Sequence, residues 1–379
     1  MSSEPAISVH NLSKSYSNET VLNDVSLEVD TGEFCVVMGP SGSGKSTLLG
    51  CIAGLIEHET GRISVEGTAM EGVSVTDRGL GYVFQEFEDT LFPHITVAEN
   101  VAFGLEQQDS DRDQAEVDRR IDEMLDLLAI PHTRDSLPSE LSGGQQQRVE
   151  LARQLVRDCS VMLLDDPLAD LDYKLQKRME LEIRNIQREM NSTFLYVTHN
   201  QDQALKLADK LVILNHGRIE QLGTPEEVYY EPASAFVGRF VGDSNPFHGQ
   251  PDGTEGVVTV DTEIGPMDAT VQGEDLSGTR PVLAMVRPES VAFGDAATEK
   301  DNVYSGELID WTYMGEETEY SVDVDGLEYT LQAIQRGTPS VDRDDLGRTL
   351  SVGWDRTDTL CFGTVSAAPT VTVDQLAEV

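Results

Sequence analysis

An apolar run that passes straight into a glycine-rich turn constrains this chain more than any other stretch. "EFCVVMG" (33–39) gives way to Gly39-Pro40-Ser41-Gly42-Ser43-Gly44-Lys45-Ser46, then to Thr47 and the helix-like "TLLGCIAGL" (47–55). A run without polar interruptions reads as a strand buried on both faces, as in a parallel sheet covered by helices. The spacing G-x-x-x-x-G-K-[ST] lets backbone N–H groups curl around phosphate at a helix N-terminus, where the dipole favours negative charge. Lys45 then reaches the β- and γ-phosphates of a nucleotide, and Ser46 offers a ligand to Mg²⁺. A purely structural glycine turn is the competing reading, and the placement between a buried strand and a helix counts against it.

A second apolar run, "VMLL" (161–164), breaks off into the adjacent carboxylates Asp165 and Asp166. An unpaired carboxylate near a core forfeits roughly several kcal/mol of hydration, so something positive is expected there. An Asp ending a strand next to a phosphate loop commonly holds Mg²⁺, and Asp165 suits that task. Asp166 then faces the attacking water as acceptor for its proton. Between the two runs, "LSGGQQQRVELARQL" (141–155) sets Ser142, Gly143 and Gly144 at the start of another helix. That is a second phosphate-binding end in a chain with one lysine loop.

Alternating segments at 6–10 and 25–30, and apolar runs at 193–198 ("TFLYVT") and 211–214 ("LVIL"), are separated by helical patterns. This is the α/β order of a mainly parallel sheet. Within 113–129, Ile121, Met124, Leu125 and Leu128 recur at i, i+3, i+4 and i+7 and predict an amphipathic helix. Thr224-Pro225-Glu226-Glu227 is a capping box with proline at the first helical position, so a short helix begins there. From "GDSNPFHG" (242–249) onward, short alternating strands such as "GVVTV", "VLAMV" and "TEYSVDVDG" take over. A domain boundary near 243–246 follows, with an all-β tail of one or two small barrels.

Taken in order, "GPSGSGKST", "YVFQ" with Gln85, "LSGGQQQRVELARQL", "VMLLDDP", "LADLD" with Asp172 and "YVTHNQDQAL" with His199 resemble the ATP-binding subunits of ABC transporters over residues 6–240. The resemblance implies an α/β P-loop NTPase (ABC ATPase) domain at 1–240 with an α-helical subdomain at about 88–155. ATP and Mg²⁺ are the implied cofactors. By themselves Tyr16 of "LSKSYS" reads as a strand-end aromatic and His199 as a solvent-capped strand terminus. The resemblance has Tyr16 stack on adenine and His199 contact the γ-phosphate. It gives nucleotide contacts to Gly39, Pro40, Ser41, Gly42, Ser43, Gly44, Lys45, Ser46 and Thr47. Ser142, Gly143, Gly144 and Gln145 act from the other subunit of a homodimer that sandwiches two ATP molecules. Ser46, Gln85 and Asp165 form the implied Mg²⁺ set, and Asp166, His199 and Gln85 the catalytic one.

The tail is similar to the linker and OB-like TOBE domain of importer ATPases, through "YEPASAFVGRFVGDSN", "MVRPESVAF", "YMGEETEYSV" and "LSVGWDRTDTL". A smaller all-β domain at 245–379 is therefore expected. Such importers serve polyamines, ferric iron, sulfate, thiamine and sugars, and the spermidine/putrescine type fits best. The implied partners are two integral-membrane permease subunits and, indirectly, an extracellular solute-binding protein. The chain would sit at the cytoplasmic face of the membrane, peripheral through the permeases. Three positions depart from the family's pattern. Asp166 stands where glutamate is usual, "EFEDT" (86–90) is longer than usual, and Asp170 replaces a small residue. A regulatory ATP-binding module with negligible hydrolysis is the alternative that Asp166 suggests. An ABC ATPase of DNA repair would need a long coiled-coil insertion, and a translation factor would need two lysine loops.

Charge narrows the partners. Against 68 Asp and Glu stand 27 Lys and Arg, a net −41. The excess is spread along the chain, with 26 acids and 7 bases from 245 onward and 42 and 20 before. This argues against nucleic acid or an anionic bilayer as a direct partner. It is the balance expected of a halophilic protein, where dense salt shortens the screening length to a few Å. Four scattered cysteines without a C-x-x-C pair predict reduced thiols, not a disulfide or zinc site. No stretch approaches the ~20 apolar residues of a membrane span, and "MSSEPAISVH" lacks a signal-peptide core. Residence in the cytoplasm, or at a membrane through a partner, is expected.

Overall fold

The structure is a computed structural model that describes residues 4–17, 19–84, 91–106, 113–157, 159–169, 171–272, 276, 281–339, 341, 343–363 and 365–366. Two compact units divide the chain, Met1–Pro225 and Glu226–Val379.

In the first unit β1 (Ile7–Tyr16) and β2 (Glu19–Val29) form a hairpin, and β3 (Phe34–Met38) feeds helix α1 (Lys45–Ala53). β4 (Thr60–Val65) and β5 (Thr68–Ala69) extend the hairpin into an antiparallel sheet of order β2-β1-β4-β5. β6 (Gly81–Val83), β7 (Val161–Asp165), β8 (Thr193–Thr198), β9 (Lys210–Asn215) and β10 (Arg218–Gly223) join β3 in a second sheet. Its order is β10-β9-β3-β8-β7-β6, and every pairing is parallel except β9–β10. β3, β7 and β8 are buried at every residue, the physical reason their sequences carry no alternation. Leu48, Leu49 and Ile52 of α1 pack with Val37, Leu163, Leu195 and Val212 of that sheet, and with Val9 and Leu12 of β1.

Between β6 and β7 the chain builds α2 (Val97–Glu106), α3 (Gln114–Leu127) and α4 (Gly143–Leu155). Of the predicted stripe, Ile121, Leu125 and Leu128 are buried and Met124 is half-buried, and Val117 of α3 is buried with them. Arg134 clamps its other side, donating to Asp118 and Asp122 at 2.8 Å each. After β7 come α5 (Tyr173–Met190) and, following β8, α6 (Gln201–Leu207). Among the described residues no helix is long and apolar enough to cross a membrane.

The second unit starts earlier than the change in strand pattern suggests. α7 (Pro225–Tyr230), which begins with the proline of the capping box, and α8 (Ala235–Phe240) precede its strands. They cluster with the β-rich part because Phe236 N donates to Val365 O, and because Gly238 lies close to Met285 and Phe362. β11 (Asn245–Asp252), β12 (Val257–Thr262), β13 (Gly265–Gln272), β14 (Val282–Val286) and β20 (Thr359–Phe362) close into one barrel. β15 (Ala292–Phe293), β16 (Asn302–Tyr313), β17 (Glu317–Val324), β18 (Leu331–Arg336) and β19 (Thr349–Trp354) make a five-stranded sheet, order β15-β19-β16-β17-β18. The tail is thus one barrel and one open sheet. Phe247 from the barrel stacks on Trp354 from the sheet at 5.5 Å, at the centre of a shared core.

Candidate nucleotide site

Parallel strands β3, β7 and β8 run side by side, so their C-terminal ends share one edge of the sheet. Ligands of open α/β sheets bind at that edge. Gly39 follows β3, Asp165 ends β7, and Thr198 ends β8 with His199 next in the chain.

The glycine loop is held by contacts that only glycine permits. A Cβ at Gly39 would lie 2.0 Å from Leu214 O, and one at Gly44 would lie 2.7 Å from Val21 O in the β1–β2 hairpin. Gly44 also has φ +106°, where side chains are strained. As N-cap of α1 it supplies no side-chain acceptor, so the first-turn N–H groups of α1 have no side-chain cap. The Ser43 hydroxyl is buried without a hydrogen-bond partner among the described residues. An uncapped helix start, a glycine cradle and an orphaned hydroxyl fit a bound phosphate group.

Lys45 spans the loop, its Nζ donating to Gly39 O at 2.9 Å and Pro40 O at 2.8 Å. Burial holds its pKa below the ordinary lysine value, and the carboxylates of Asp166 and Asp165 oppose that shift. Ser46 Oγ donates to Asp165 Oδ1 at 3.0 Å. Burial raises the Asp165 pKa, with the Asp166 charge adding to the rise, while Ser46, Lys45 and the Tyr82 hydroxyl act against it. The Tyr82 phenol is itself pushed up by burial and by the Asp165 charge. No group of three or more His, Cys, Asp or Glu side chains gathers for a metal among the described residues. A cation at Ser46 and Asp165 would therefore take its remaining ligands from phosphate and water.

Asp166 is tethered. Its φ of +45° lies in the left-handed region, and its N–H donates to Val197 O at 2.9 Å. Thr198 Oγ1 stands 3.2 Å from its Oδ1, and His199 Nδ1 makes a short contact with its Oδ2. The carboxylate is buried while the His199 ring is 69% exposed, so the pair runs from core to solvent. Behind it, Gln203 Oε1 accepts from Tyr196 OH at 3.0 Å and lies 3.2 Å from Thr198 Oγ1. Tyr82, Thr198 and Gln203 were not among the residues expected here. Their positions inside "GYVFQ" and "YVTHNQDQAL" were the available signal.

Other expected residues are placed separately. Ser142 caps α4, with Gln145 Oε1 accepting from its N–H at 2.9 Å and its Oγ at 3.1 Å. Gly143 and Gly144 are exposed, and a Cβ at either would meet nothing within 4 Å. Among the described residues no hydrogen bond or ion pair joins 142–145 to the 39–47 loop. Tyr16 is 46% exposed, with Lys14 Nζ 5.0 Å from its ring centroid. Gln85, the "EFEDT" segment and Asp170 lie outside the described residues.

Residues 22–169 match the ABC transporter family, and 284–362 match the TOBE domain. A spermidine/putrescine import ATP-binding protein PotA from Rubrobacter xylanophilus is 38% identical over 364 residues, covering 94% of each chain. Its namesake from Haemophilus influenzae is 35% identical over 366 residues, covering 93% of this chain and 95% of its own. Among solved structures, the dimeric post-hydrolysis state of the ATP-binding cassette MJ0796 bound to ADP and Pi superposes with a TM-score of 0.53 at 29% identity. It covers 58% of this chain and 98% of its own. With an open phosphate loop at the strand ends and relatives matched almost end to end, this chain belongs to the ABC transporter family as an importer-type ATPase subunit with a TOBE domain.

Proposed function

We propose that the chain hydrolyses ATP as a homodimer to drive import of a polyamine of the spermidine/putrescine kind. The dimer would act on two integral-membrane permease subunits, fed by an extracellular solute-binding protein. It would lie at the cytoplasmic face of the membrane, peripheral through those subunits, with no nucleic acid involved. The polyamine assignment rests on the relatives' names and on their near full-length match. In this reading the ATP-binding domain, expected at 1–240, ends where α7 begins, and 245–379 form the regulatory one with α8 packed on it.

One observation carries the chemistry. Lys45, Ser46 and Asp165 converge at an uncapped helix start, with Asp166 and His199 beside them. The 39–47 backbone and Ser43 would hold the phosphates, and Lys45 would leave its two carbonyl acceptors for the β/γ oxygens. Ser46 and Asp165 would hold Mg²⁺, which neutralises charge on the phosphate oxygens when bound; Gln85 is assigned to the same set. Asp166 accepts the proton of the attacking water, using the lone pairs that Thr198 and His199 leave available. The largely exposed His199 ring, held through Nδ1, would offer Nε2 to the γ-phosphate. Tyr16 stacks on adenine, and Ser142, Gly143, Gly144 and Gln145 close over the partner's nucleotide.

Lys45→Ala is the direct test. It removes the point charge and should cut ATPase activity at least ~100-fold, the equivalent of about 2.7 kcal/mol. Parental turnover by a folded variant with Mg²⁺ present would remove the loop assignment.

A further inference from the structure

The second unit contains a cleft of about 750 Å³, a size that suits a small molecule. Arg239, Glu263, Glu328 and Tyr329 are among its lining residues. Arg239 sits in the last turn of α8 and is half-buried. Burial holds its pKa below the ordinary arginine value, and among the described residues its guanidinium has no hydrogen bond or ion pair. Several other shielded cations in the chain are partnered. Arg184 pairs with Asp209, Lys210 with Glu33, and Arg287 donates to three backbone carbonyls. Leaving one partly desolvated arginine unpaired is costly in a chain with 68 acids to 27 bases.

Two carboxylates line the same cleft. Glu263 accepts the His248 N–H at 3.1 Å and keeps further lone pairs, while Glu328 is exposed with no partner among the described residues. The walls are fixed in advance. Buried Asn245 on β11 donates to Gln332 O at 2.8 Å and accepts from Gln332 N at 2.7 Å on β18, tying a barrel strand to a sheet strand. Tyr329 OH donates to Pro246 O across the same gap.

We propose that this cleft is an effector site for a basic α-amino acid of the lysine or ornithine kind. Its carboxylate pairs with Arg239, and its two ammonium groups pair with Glu263 and Glu328. The charge count selects this class. One cation and two carboxylates are mirrored by a ligand with one carboxylate and two ammonium groups. A plain diamine would leave Arg239 unpaired, and a plain carboxylate would face two like charges. The proposal does not depend on the ATPase reading, because binding is read without nucleotide.

Calorimetric titration of the full chain with L-lysine, 1,5-diaminopentane and hexanoate tests it. L-lysine should bind saturably, one per chain, and the two partial analogues at least ~10-fold more weakly. Arg239→Gln and, independently, the exposed Glu328→Gln should each weaken L-lysine binding ~10-fold or more without lowering the unfolding temperature. Three results would overturn the proposal: no saturable L-lysine binding up to ~10 mM, diaminopentane binding as tightly as lysine, or lysine affinity unchanged in the folded variants.

Discussion

At the scale of single residues, the two adjacent aspartates have different surroundings and so different expected phenotypes. Asp165 is buried with its pKa raised, so between its unfolded and folded pKa values the native state holds more protons than the unfolded state. Stability from this group is therefore fully present below the unfolded pKa and is lost as pH rises through the folded pKa. At neutral pH without nucleotide, Asp165→Asn should raise the unfolding temperature by about 2–4 °C, as a gain near 1 kcal/mol does for a domain this size. The same change should abolish Mg²⁺-dependent turnover. A variant that is both destabilised and fully active would contradict the placement of Asp165. Asp166 is one methylene shorter than the family's glutamate and is tied to Thr198 and His199. Slow hydrolysis is expected, with Asp166→Asn lowering it further and leaving ATP affinity intact. Asp166→Glu should equal or exceed the parent, since misplacement by ~1 Å costs about a hundredfold. Single-turnover assays decide this, and unchanged turnover in Asp166→Asn would exclude it as base.

At the scale of elements, the start of α4 carries two glycines that nothing inside the chain requires. Alanine is the better helix former, by about 0.8–1 kcal/mol per position. Gly144→Ala should therefore keep or raise thermal stability. If the segment closes on a partner's nucleotide, the same variant should lose ATPase activity, and a fully active one would remove that role. Pairing Lys45→Ala with Ser142→Arg subunits should restore activity above either homodimer, because one composite site stays intact. Legibility also divides by element. β3, β7 and β8 were readable because total burial leaves an unbroken apolar run. β1 and β2 extend well beyond the alternating cores at 6–10 and 25–30. Register shifts between Val9, Leu12 and Lys14, with Asn11 and Asp24 at positive φ, break the period that reveals strands. Lys45, Ser46 and Asp165 were expected from spacing and strand ends. Tyr82, Thr198 and Gln203 were not, because their roles arise from strands that pair across long stretches of sequence.

At the scale of the whole molecule, a charge of −41 must be accommodated whenever two copies meet. Screening at molar KCl shortens the Debye length to ~3 Å from ~10 Å at 0.1 M. Sedimentation should show dimerisation and folding strengthening with KCl, and equal stability and dimerisation at ~50 mM salt would remove the halophilic reading. In the proposed cycle, ATP hydrolysis at the Lys45 site energises polyamine import. The most direct test is spermidine uptake into proteoliposomes holding the permease subunits and this chain, with the solute-binding protein supplied outside and Mg²⁺-ATP on the ATPase side. Uptake should follow ATP hydrolysis and disappear with Lys45→Ala. Spermidine accumulation that persists with Lys45→Ala, or hydrolysis that proceeds with no accumulation in the complete system, would contradict it.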